Sequence, residues 1–184
     1  MMNLSHLVAR FWLLIAITGL IAGCTPSKVS QCNKLSSNVN KIRPIAEQFQ
    51  TEGKAFETAA KAAITKNDLK AFKASAASSS EAFDKLINEL NGLIKEIQQT
   101  NLKDETLVGL RDRYVQNATA INAAFQETST ALATISKVES NPQSLKALQQ
   151  SITNLNQTAT KMRTLVQEEN QMVSEFNTYC GANK

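Results

Sequence analysis

The apolar positions of this chain repeat with one period over most of its length. They step alternately by three and four residues and nowhere alternate as a strand requires. The mean step of about 3.5 is the seam of helices packed at about 20°. Four such segments follow one another. The first seam passes through Leu35, Ile42, Phe49, Phe56 and Ala63. The second passes through Leu69, Phe72, Phe83, Leu90 and Ile97, and the third through Leu107, Tyr114, Ile121, Ile135 and Val138. The fourth runs from Leu145 through Ile152, Ala159, Val166 and Val173 to Cys180. Second apolar rows, such as Ile45, Ile94, Phe125 and Leu165, widen the stripes to the breadth a bundle requires.

The breaks fall between these segments. Asn67 or Asp68 is placed to cap the second helix, and residues 100–104 separate the second from the third. Asn141 is placed to cap the fourth, with Pro142 in its first turn. Pro44 lies inside the first segment and predicts a kink, because Leu35, Val39 and Ile42 already hold the seam before it. Helices of about 33–39 residues reach about 50–58 Å. Short connections make neighbours antiparallel. The predicted fold is all-α: an antiparallel up-down-up-down four-helix bundle over residues 28–184.

Residues 1–23 do not belong to that fold. A polar start with Arg10 leads into the apolar run Phe11 to Ala22. Twelve helical residues reach only about 18 Å, short of the about 30 Å of a hydrocarbon core. A signal-peptide core needs only about 7–15 residues. Ile21-Ala22-Gly23-Cys24 completes the pattern: an aliphatic residue, two small ones and a cysteine. This resembles the lipobox of bacterial lipoproteins. The resemblance implies diacylglycerol on the Cys24 thiol, cleavage before Cys24, and acylation (commonly palmitate) of the new amine. The domain order is then signal peptide 1–23, lipidated linker 24–27 and helical domain 28–184. The implied localisation is an exported protein, lipid-anchored to the cell or outer membrane and facing the periplasm or exterior.

Cleavage changes the chemistry on offer. His6 and Trp12, the only residues of their kinds, leave with the signal. No histidine then remains for a Ser-His-Asp site, an imidazole zinc site or a histidine-ligated haem. The mature chain keeps 19 basic and 16 acidic side chains, a net charge of +3. The basic groups are scattered, so no nucleic-acid partner is indicated.

Two cysteines remain in the helical domain. Cys32 is three residues before Leu35 and Cys180 four after Phe176, so each extends a seam at the same end of the predicted bundle. An oxidising compartment favours a Cys32–Cys180 disulfide. In the chain-entropy treatment, closing a loop of this length contributes about 5 kcal/mol at most. Free core thiols and a redox pair are the alternatives, and the Cys-x-x-Cys spacing that favours redox work is absent.

Few other residues stand out. Glu169 occupies a seam position, where a buried carboxylate demands a partner. Arg43 and Glu169 each lie eleven residues from a cysteine, which brings their levels together as a candidate buried ion pair, with a snorkelling Glu169 or a ligand site as the alternatives. Asn117 and Thr128 are polar seam positions of the register-fixing kind. Ala60 and Ala76 lie in small-residue stretches, which either permit close helix approach or leave a groove for a partner helix. No cofactor or metal site is predicted. The functional expectation is a non-enzymatic accessory, scaffold or binding module, joined to a membrane through Cys24 and to a protein partner. The alternative is a periplasmic sensor, chaperone or inhibitor.

Overall fold

The computed structural model describes residues 26–139 and 141–181. The expected signal peptide, the lipobox-like residues 21–24 and with them Cys24 lie outside the described residues. The described chain is helical throughout, without strands. Its helices are α1 (Lys28–Val39), α2 (Ile42–Thr65), α3 (Leu69–Gln98), α4 (Glu105–Ser136) and α5 (Pro142–Cys180).

The first predicted helix is two. Asn40 and Lys41 keep right-handed backbone angles, but the helical hydrogen-bond ladder lapses there. Pro44 supplies the cause. It has no N–H to give the Asn40 carbonyl, and its ring crowds that same carbonyl. The Arg43 N–H bonds Asn40 O instead, at 3.3 Å.

The other termini follow local chemistry. Asn67 adopts a left-handed φ of 54° after α2, a conformation that asparagine tolerates. The Asn67 and Asp68 N–H groups bond the Ile64 and Ala63 carbonyls, which closes α2 in a Schellman motif. Asp68 then caps α3 by accepting from the Ala71 N–H at 2.9 Å. Asp104 caps α4 through the Leu107 N–H, and Asn141 caps α5 through the Ser144 N–H. Gly181 ends α5 in the left-handed region.

Successive helices pack side by side. Lys41–Glu96, Phe49–Phe83 and Phe56–Phe72 join α1–α2 to α3. Asn91–Asn122 and Asp84–Ser129 join α3 to α4. Arg113–Glu175 and Glu127–Lys161 join α4 to α5. In each set, partner numbers fall along one helix as they rise along the other. The core centres on α3 and α4, where Leu90, Ile97, Leu107, Leu132 and Ile135 are fully enclosed.

Cys32 and Cys180 are joined by a disulfide, with their Cα atoms 6.0 Å apart. The same end is tied by polar contacts. The Gln31 amide donates to Pro26 O and its carbonyl accepts from the Lys103 and Asp104 N–H groups. The Tyr179 hydroxyl donates to Asp104 at 2.8 Å, and the Lys28 ammonium sits 3.7 Å over the Tyr179 ring.

Candidate functional site

The break at Asn40–Lys41 divides the molecule into a closed end and an open one. Below it, α1 lies against α2, α3, α4 and α5 together. Above it, α2 keeps α3 as a neighbour, and no Cα of α2 comes within 8 Å of one in α5. The fourth side of the array is therefore open. A groove of about 910 Å³ occupies it. The α2 wall carries Ile42, Ile45 and Phe49, and the α5 wall carries Ala159, Val166 and Val173. Tyr114, Ile121 and Phe125 of α4 form part of the floor. The rings of Phe49 and Phe125 stack there at 3.4 Å, and Phe83 lies 5.2 Å from Phe49.

Among the described residues, two charged side chains line this groove, and each has a partner. Arg43 binds Glu47 one turn along its own helix at 2.9 Å. Glu169 accepts from the Tyr114 hydroxyl at 3.0 Å. Burial, followed by the adjacent Glu169 charge, pushes the Tyr114 phenol far above its ordinary range, so it remains a donor. Asn117 donates to Leu165 O and to Glu168 from the same wall. It lies between α4 and α5, as a register-fixing residue should.

These contacts correct one expectation and decide between two alternatives. Arg43 and Glu169 do not pair: α2 stands away from α5, so each takes a partner nearer to hand. Ala60 and Ala76 form no groove. Both are buried and neither lines the open face. Their missing side-chain volume is taken up by close approach of α2 and α3. Thr128 bonds the Ala124 carbonyl of its own helix.

A second surface lies on α5 and shares Ala159, Val166 and Val173 with the groove wall. The positions 145, 152, 159, 166 and 173 repeat every seven residues. Leu145, Ile152, Val166 and Val173 are 56%, 47%, 43% and 41% exposed, far above the usual level for a seam. The buried edge of α5 is instead its neighbour, with Ser151, Thr158 and Met172 turned to the protein. Helix α5 is rotated toward α4, which leaves the apolar heptad row uncovered.

Among the described residues, no helix is long and apolar enough to cross a membrane. No protein family, curated protein or solved structure matches the chain.

Proposed function

We propose that this chain is an exported lipoprotein, anchored through acyl groups on Cys24, that acts without catalysis as an accessory or scaffold of a membrane or envelope assembly. The observation that carries the reading is the uncovered heptad row of α5. Val and Ile at three of its five positions, with no acidic residue beside them at 149, 156, 163, 170 or 177, suit an apolar face of a partner helix. The helix order reads as up-down-up-down, with α1 and α2 as one interrupted arm. The partner numbering across each helix pair supports that reading.

Orientation follows from the anchor. Cys24 precedes the first described residue, Pro26, by two positions and the disulfide by eight. The disulfide end then faces the bilayer, and α5 stands away from it over about 58 Å. Several acyl chains hold such a protein firmly, at about 0.8 kcal/mol per buried CH₂.

Two measurements test this. Labelled palmitate should enter the full chain and not a Cys24→Ser variant. A photoactivatable residue at position 152, in cells of the source organism, should give one discrete protein adduct. The same residue at exposed position 150, off the heptad row, should give none. Absence of label, or equal adducts from both positions, contradicts the reading.

A further inference from the structure

Along the chain the basic residues are spread out, but the fold gathers several at the end opposite the disulfide. Ser80 of α3 bonds Ser129 of α4. Lys73 stands seven residues before Ser80 and Lys137 eight after Ser129. These are about 10.5 and 12 Å of helix toward the same end. Packed helices stand about 8–10 Å apart, so the two lysines reach one common surface. The α2–α3 turn, with Lys66, and the first turns of α5, with Lys146, belong to this tip. Residues 57–80 and 128–152 hold six lysines against three acidic side chains, a net charge of +3. The rest of the described chain holds twelve basic and thirteen acidic side chains, a net charge of −1.

The acids at this tip already have partners. Glu57 binds Lys61, Asp68 caps α3, and Glu139 accepts from the Asn141 amide. Lys66, Lys70, Lys73, Lys137 and Lys146 make no ion pair among the described residues. Lys73 is half-buried and the other four are exposed. Two aliphatic side chains stand among them. Ile64 ends α2 at 64% exposure, and Leu69 opens α3 at 41%. Lys66 lies between them in the sequence, and Lys70 follows Leu69. Exposed aliphatic groups ringed by ammonium groups match a membrane interface, where the apolar tips enter and the cations stay with the phosphates. A soluble polyanion would engage the lysines and leave Ile64 and Leu69 in water.

We propose that this tip docks on the surface of an anionic phospholipid bilayer, with Ile64 and Leu69 entering the interface and the lysines on the lipid phosphates. The docking surface rests on the charge and exposure of the tip alone. Only which bilayer it meets rests on anchoring at Cys24. The tip then stands about 50 Å from the anchored membrane, far beyond a Debye length of about 8 Å, so the surface it meets is an apposed one. Each lysine near such a surface strengthens partition about fivefold. Leu145 lies beside Lys146 and begins the α5 row, so it is left unchanged in the test.

The test uses the mature chain, residues 24–184 with Cys24→Ser, exported so that the disulfide forms, and sedimentation with sucrose-loaded vesicles. Vesicles of phosphatidylglycerol and phosphatidylcholine should bind it at least about tenfold better than phosphatidylcholine alone, and added salt should release it. Lys66→Glu with Lys70→Glu should weaken binding at least about tenfold at an unchanged thermal midpoint. Lys85→Glu with Lys95→Glu makes the same charge change at exposed positions farther along α3 and should leave most of the binding. Ile64→Ser should weaken binding about threefold or more. The mature chain has no tryptophan, so Leu69→Trp reports on the tip, and its emission should shift to the blue on anionic vesicles. Equal binding to both vesicle types, equal loss from the two lysine pairs, or an unshifted Leu69→Trp emission overturns the proposal. So does binding indifferent to Ile64→Ser, which would mark a surface for soluble polyanions. Failure of palmitate to label the chain, with vesicle binding and its loss in Lys66→Glu with Lys70→Glu retained, would remove the anchor and support the tip as a docking surface.

Discussion

Asp104 joins two helices through one carboxylate. It caps α4 through the Leu107 N–H and accepts the Tyr179 hydroxyl from α5. The Leu107 bond first, then that of Tyr179, holds its pKa below the ordinary aspartate value. Because the folded value lies below the unfolded one, the contribution to stability is complete above the unfolded pKa. It is lost as pH falls through the folded value. An Asp104→Asn variant does not titrate there. Its deficit in urea midpoint relative to wild type should therefore narrow as pH drops below about 4. A deficit constant from pH 7 to pH 2 would contradict this role. The cap was legible at this scale only as a break at residues 100–104. The Tyr179 partner, 75 residues away, was not, because nothing local announces a long-range acceptor.

At the scale of elements, the small residues of the first hairpin let α2 and α3 approach closely. Ala76 is fully enclosed, so a larger side chain has no space to enter. Ala76→Leu should destabilise by about 1–3 kcal/mol through overpacking, read as a lowered urea midpoint with unchanged slope. An unchanged midpoint would mean that the interface is looser than its burial implies. The helices themselves were legible from the 3,4 pattern and their caps. Their rotation was not. Periodicity locates an apolar stripe, but which flank of that stripe meets a neighbour depends on where the neighbour stands. Helix α5 shows the difference, since its predicted seam lies half uncovered and an adjacent edge with Ser151 and Thr158 is buried.

At the scale of the molecule, the Cys32–Cys180 bond closes a loop with a sequence separation of 148 and holds α1 in the closed end. Replacing both cysteines with serine should lower stability by at most about 5 kcal/mol, measured by urea unfolding. Alkylation of the unfolded protein should label neither cysteine unless reductant is present. Labelling of both without reductant would show that the bond does not form. Pro44 works with the disulfide at this scale. The bond keeps α1 against its neighbours, and the interruption leaves α2 apart from α5, so the open groove begins where the closed end stops.

Alone, the sequence determined helix content, the helix ends other than those beside Asn40 and Lys41, the cysteine pair and the lipobox resemblance. Each depends on near neighbours in the chain or on a repeat that the chain itself carries. Only the tertiary structure decided that the array is open, that Arg43 and Glu169 stay apart, and that the apolar walls line an open groove rather than a sealed core. These depend on the spacing between α2 and α5. A proline interruption permits that spacing, and the burial of α3 and α4 sets it, and neither leaves a periodic mark in the sequence.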